Sequence, residues 1–466
     1  MRRNVAPPIA AGVLPLLLLG VVLVALNGCS GMKNVWRLPP PVEQKVELNR
    51  FAVDNDAGVI GRLAVTRSAE GDTLPDLARH FSVGINAIRA ANPGVDLWTP
   101  EAGRRITLPL SFILPDAPRK GIVVNLATMR LFLFQEAAGG LTVSTYPVGV
   151  GAEDRPTPTG QMYVARKATR PTWYVPASIA EAHRKKGDPL PATVPPGPEN
   201  PLGEYALYLS NAGYLIHGTN KPASVGLNAT NGCLRLYPES IEELYRDTPV
   251  NTPVLIVNQP YLVGQRDGVL YLEAHALAEG AESGERKRIT EKLREIESKS
   301  AQALDWRKVA AVLAEARGVP VPVLELRRGA GDQVSQLVEV ERPDALHGRP
   351  EVPELNLDAW YVLAGEMAEE KEARRLAAII NHQGPPIPAR VLAKQSKGPG
   401  YRVIAGPFGD AGAASKAVRR LKVDLDINGI VIEPVGKLRR SSLSGGSESL
   451  PSASATINST PRRDKL

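Results

Sequence analysis

Two side chains in this sequence could make and break a bond to a carbonyl carbon, His217 and Cys233, and they stand sixteen residues apart within IHGTNKPASVGLNATNGCLRL, residues 216–236. A thiol attacks as its thiolate, so near neutral pH it needs a base or a positive microenvironment beside it. An imidazole is the natural partner for that proton. The separation alone says little, but Gly218 follows the histidine and Gly232 precedes the cysteine. Glycine lets the backbone turn tightly and come close to a substrate. The plain alternative is that Cys233 is a small buried hydrophobe and His217 a satisfied polar residue. Catalysis therefore requires that folding bring sulfur and imidazole within proton-sharing reach at an accessible cleft. The other histidines, His80, His183, His275, His347 and His382, lack metal-ligand spacing, so neither a metal nor an organic cofactor is expected. Glu153 and Asp154 read as solvated loop carboxylates.

The elements that must hold these two residues are strands. Between residues 121 and 258 the runs IVVNLATMRLFLFQ, TVSTYPVGVG, QMYVARKAT, YALYLSN, YLIHGT and VLIVNQ are short, β-rich and bounded by Gly, Pro and Asn. His217 falls at the end of one of them. The segment 187–203 is too rich in proline to enter the interior of a sheet and reads as a groove cover or a surface loop.

Taken together, IHGTN, TNGCLRL, PVGVG with TPTG, PTWYVP and NPLGEYALYL resemble, in the same order, the YkuD-type L,D-transpeptidases. The resemblance implies a mainly-β catalytic domain over residues 119–258. It makes Cys233 the nucleophile and His217 the base, with the Gly218 carbonyl orienting the imidazole. Backbone amides at Gly232 and Cys233 become oxyanion donors, and Arg235 tunes the thiolate or holds a substrate carboxylate. Thr219, Thr230 and Asn231 line the substrate side. Asn231 stands where many members carry histidine, and Thr230 where serine is frequent; Asn cannot titrate, so the departure implies tuning. The implied substrate is a peptidoglycan tetrapeptide stem, and the implied acceptor is an amine of another stem or an envelope protein. Readings as a thiol carboxypeptidase or amidase, or as a non-catalytic wall tether, remain open.

The flanks extend this picture. Arg2 and Arg3, an apolar run from Ile9 to Leu26, and Gly28-Cys29 read as a signal peptide over residues 1–28 with a lipid-attachment cysteine; an uncleaved anchor is the alternative. The absence of Asp after Cys29 favours the outer membrane over the inner, with the protein on the periplasmic side of a bacterial envelope. Residues 29–61, with three consecutive prolines, read as a tether. In 62–110, GDTLPDLARHF, AANP and GRRITLP resemble a LysM module, a βααβ glycan-binding fold; the alternative is a small subdomain without ligand. Residues 259–356 read as a helical connector. In 357–436 a strand-helix-strand, strand-helix-strand order with YRVIAGPF resembles a SPOR domain, an α+β ferredoxin-like fold, or else an α+β domain for protein contacts. The tail 437–466 reads as disordered. The expected architecture is thus multidomain. Two cysteines exclude a disulfide framework. A net charge of +7 over 466 residues, without a basic and aromatic stripe, argues against nucleic acid and is compatible with an acidic wall polymer.

Overall fold

Alternation along GIVVN and RLFLFQEA sends Ile122, Val124, Leu131 and Leu133 to one face, and Val123, Phe132 and Phe134 to the other. Both sets are buried, in separate cores. The strands Gly121–Asn125 and Arg130–Ala137 are paired antiparallel and covered on both sides. Such strands read as unbroken apolar runs.

A computed structural model describes residues 49–53, 58–277, 282–300, 302–325, 337–393 and 400–435. The expected signal peptide, Cys29, the start of the tether and the tail lie outside them. No helix among the described residues is long and apolar enough to cross a membrane.

The two strands belong to a nine-stranded sheet. Its order is Arg50–Ala52, Gly140–Pro147, Arg130–Ala137, Gly121–Asn125, Pro253–Val257, Gly160–Thr169, Tyr205–Leu209, Leu215–His217, Leu234–Arg235. Two neighbouring pairs are parallel, Pro253–Val257 with Gly121–Asn125 and Leu215–His217 with Leu234–Arg235. The helix Pro238–Asp247 closes the first core through Ile241 and Leu244. The domain is mainly β, as expected, with a second helix, Ala177–Lys185, that the sequence hid because it buries no side chain. The proline-rich segment stays out of the large sheet; Thr193–Val194 pairs with Trp173–Tyr174 instead.

In residues 64–108 the strands Ala64–Arg67 and Arg105–Leu108 pair antiparallel around the helices Leu74–His80 and Ile85–Ala91. The GDTLP signal is a cap: Thr73 Oγ1 accepts the Asp76 N–H at 3.1 Å, and Pro75 needs no partner in the first turn. The βααβ order is present. A third strand, Val338–Glu339, adds parallel to Ala64–Arg67.

Two expectations need correction. The tether is partly built into the fold, because Arg50–Ala52 pairs with Gly140–Pro147 and Val59–Gly61 with Ser111–Ile113. Phe51, Val59 and Ile60 are buried there. The connector is not purely helical. Tyr261–Arg266, Val269–Ala274 and Val321–Pro322 form an antiparallel sheet. It shares a core with the helices Glu282–Lys299 and Trp306–Glu315 through Leu272, Leu293, Leu313 and Val323. The overlooked signal is Asp267-Gly268, both at positive φ, which is the turn chemistry of a two-residue hairpin.

Residues 360–432 keep the expected order of elements. The sheet runs Ala389–Ala393, Tyr401–Phe408, Trp360–Met367, Ile430–Ile432, all antiparallel. The helices Glu370–Asn381 and Ala411–Leu425 cover one face around Val362, Ile380, Val403, Ala405 and Leu421.

Candidate active site

Ile216 lies opposite Leu234, and His217 opposite Arg235, in the parallel pair Leu215–His217 and Leu234–Arg235. Ile216 and Leu234 both enter the core. Alternation therefore turns His217 and Arg235 to the other face, along with Cys233 just before the strand.

His217 is buried, and its Nδ1 lies 2.6 Å from the Gly218 carbonyl oxygen. A carbonyl only accepts, so Nδ1 carries the proton and Nε2 keeps its lone pair. Burial pushes the imidazole pKa down to about 3, and the Arg235 charge adds to this. The Gly218 and Leu202 carbonyls oppose it by favouring the charged ring. The ring is neutral at neutral pH.

Cys233 is partly buried and free. Its Sγ lies 3.6 Å from the Gly213 carbonyl oxygen, to which the thiol donates. Among the described residues no hydrogen bond joins this thiol to the imidazole. The alternation that sends Leu234 into the core sets Cys233 on the side of His217, and the resting thiol leans on the turn at Gly213. Burial pushes the thiol pKa up, while the Leu215 N–H and the Arg235 guanidinium draw it back only in part. The resting state therefore holds a neutral thiol and a neutral imidazole rather than an ion pair.

Arg235 Nη1 donates to Ser224 Oγ at 2.8 Å, and Ser224 Oγ donates to the Lys221 carbonyl at 2.6 Å. The Arg235 Nε is buried without a partner. Burial lowers this guanidinium to about 10, against the pull of Cys233; it stays charged at neutral pH.

Thr230 fixes the turn before the cysteine. Its Oγ1 donates to the Cys233 carbonyl at 2.7 Å and accepts the Gly232 N–H at 3.2 Å. The Gly232 amide is thus already engaged, which matters for its expected part in holding an oxyanion. Gly232 has φ +97°, and a methyl there would lie 2.8 Å from Tyr214 Cε1. Asn231 is exposed, and its Oδ1 accepts from the Arg155 guanidinium. Thr219 is buried and turned into its own loop, accepting the Lys221 N–H at 2.9 Å. Of the three residues expected on the substrate side, only Asn231 is open to solvent.

Asn200, Leu202 and Ser224 shape the site although sequence reasoning assigns them no role. Asn200 is fully buried and donates to the Pro171 carbonyl at 2.8 Å and to the Val194 and Pro195 carbonyls at 3.2 Å. Its Oδ1 accepts the Leu202 N–H at 2.9 Å. This Asx turn aims the Leu202 carbonyl at the imidazole; its residues begin the NPLGEYALYL segment, which marked the family resemblance without showing this role. Ser224 carried no signal at all.

Residues 119–256 match the L,D-transpeptidase catalytic domain family YkuD, and residues 356–433 match the SPOR domain family. Among curated proteins, the chain is 38% identical over 248 residues to Probable L,D-transpeptidase YcfS of Escherichia coli strain K12, covering 52% of this chain and 72% of that protein. From the same organism, Probable L,D-transpeptidase YbiS is 39% identical over 221 residues, 47% of this chain and 71% of the relative. Probable L,D-transpeptidase ErfK/SrfK is 40% identical over 204 residues, 43% and 65%. This chain belongs to the L,D-transpeptidase family, and it carries a SPOR domain in addition.

Proposed function

We propose that the chain joins peptidoglycan stems by acyl transfer through Cys233. What supports this is His217 opposite Arg235 in the parallel pair, Cys233 set on the same side by alternation, and a neutral imidazole whose Nδ1–H is held by the Gly218 carbonyl, leaving the lone pair on Nε2. The thiol turns from Gly213 toward Nε2, gives up its proton, and Sγ attacks the carbonyl of the third residue of a tetrapeptide stem. The Cys233 amide steadies the oxyanion, since the Gly232 amide is drawn off by Thr230. Collapse expels the terminal D-Ala, whose amine takes the proton from the imidazole and leaves a thioester. An acceptor amine then attacks, loses its proton to His217, and regenerates the thiol. The buried Arg235 Nε–H remains an unused donor in the site.

In this reading residues 62–110 are a LysM-like glycan grip, supported by the βααβ order. Residues 357–436 are a ferredoxin-like SPOR fold, supported by an antiparallel sheet whose central strands are Trp360–Met367 and Tyr401–Phe408. Cys29 carries the lipid, in the outer membrane, and the acceptor is a second stem or an envelope protein. Replacing Cys233 with Ala tests the enzyme against the tether. Loss of stem cross-links with wall binding retained supports acyl transfer; unchanged muropeptides would leave a tether.

A further inference from the structure

The loop that follows the base is held by the SPOR domain. Lys221, four residues after His217, donates from Nζ to Gln383 Oε1 at 3.1 Å. Next to it the backbone of Gly384 lies directly on Asn220 and Lys221, so closely that a methyl at Gly384 would sit 2.6 Å from Lys221 Cα. The Lys221 ammonium is set among Asp424 and Arg420 of the same domain and Arg235 of the site. Its charge environment is therefore shared between the two domains.

A second contact reaches the other side of the imidazole. Lys416, on the helix Ala411–Leu425, pairs with Glu199 at 3.0 Å. Glu199 adjoins the buried knot at Asn200, and that knot fixes the Leu202 carbonyl facing the ring. Gly203 then packs its backbone on Gly218 and Thr219. Asn220 Nδ2 donates to the Pro198 carbonyl at 3.2 Å and ties the two loops together. Beside the Gln383 contact lies a cavity of about 330 Å³ bordered by Asp76, Ala223, His382 and Gln383.

We infer that the SPOR domain is a positioning element of the transpeptidase site: Gln383 and Gly384 set the loop Thr219–Lys221, Lys416 sets the Glu199–Leu202 segment, and both act on catalysis through the placement of His217. Anything that draws this domain off the catalytic domain retunes the base. The inference rests on His217 being that base.

The test uses the full chain and Gly384→Val, whose side chain cannot fit against Lys221. Hydrogen exchange at residues 215–221 reports undocking independently of turnover. The expected result is faster exchange there, a displaced pH profile of Cys233 alkylation, and kcat on tetrapeptide stems lower by about tenfold with KM nearly unchanged, since small misplacements of a catalytic group act on the chemical step. Lys416→Glu should move the same readouts less, and adding Glu199→Lys should restore them. Should Gly384→Val fail to fold, Gln383→Ala combined with Lys416→Glu is judged by the same criteria. The inference is overturned if exchange reports undocking while the alkylation profile, kcat and KM stay as in the parent. If the parent forms no acyl adduct, the proposed acyl transfer fails, and exchange with alkylation still decides whether this domain positions the site.

Discussion

Arg235 stands opposite His217 across the parallel strand pair and two residues beyond Cys233, and its charge acts on both. It draws the thiol pKa down and pushes the imidazole down as well. The same cation thus favours a thiolate and disfavours an imidazolium. Burial of the thiol, together with this bias against an imidazolium, keeps the proton on sulfur at neutral pH.

Alkylation of Cys233 checks the thiol. Because burial leaves its pKa above the ordinary cysteine value, the thiolate fraction, and so the iodoacetamide rate, should climb about tenfold per pH unit from pH 6 to 8. Arg235→Gln removes the nearby cation and should displace the whole curve to higher pH. A rate that is flat from pH 5 to 8 would mean a resting ion pair, contrary to the neutral pair described above.

His217 links the fold to acid. Its pKa is held near 3, below the unfolded value near 6.5, so the unfolded chain binds the extra proton between those limits. The stability this group contributes is present above pH 6.5 and is lost, by up to about 1.4 kcal/mol per unit, as pH falls toward 3. Urea unfolding of the catalytic domain between pH 7 and 4 should lose less stability in His217→Asn than in the parent.

The turn before Cys233 is a steric prediction. Gly232→Ala places a methyl 2.8 Å from Tyr214 Cε1 at φ +97°. Thr230→Val removes both hydrogen bonds of its hydroxyl. Each variant should lose roughly 1–3 kcal/mol in thermal or chemical unfolding and lower kcat more than it raises KM. Activity equal to the parent in both would dissociate this turn from the chemistry.

The module at residues 64–108 is clasped by the strap that leads to the SPOR domain. Asp72, almost fully buried, receives Arg342 at 2.6 and 2.8 Å, and Asp76 meets His382 at 3.1 Å. Asp72→Asn leaves Arg342 without its carboxylate and should cost roughly 3–5 kcal/mol of local stability. Hydrogen exchange should quicken first at residues 338–346.

How far the sequence could be read depended on where its signals were local. Thr73 with Pro75, the apolar alternation of Ile122 to Phe134, and the paired strand-helix-strand halves at 360–432 each declare themselves within a few residues, and each is present. His217 and Cys233 were legible as residue types beside glycines. Their register through Arg235 was not, because a parallel pairing of two residues leaves no periodicity. The hairpin at Asp267-Gly268 is hard to read because the charged helices after it dominate the composition. Asn200, Ser224 and Gln383 were illegible for another reason. Each acts through a backbone atom or a side chain brought in by tertiary folding, and nothing in their neighbours predicts the partner.

Intact-mass analysis of the protein incubated with tetrapeptide stems reads whether acyl transfer runs through Cys233. The expected result is an adduct on Cys233 equal to the stem less its terminal D-Ala, removed by an added amine and absent from Cys233→Ala. An adduct that persists in Cys233→Ala, or stems that lose D-Ala with no adduct on the sulfur under any quench, would contradict it.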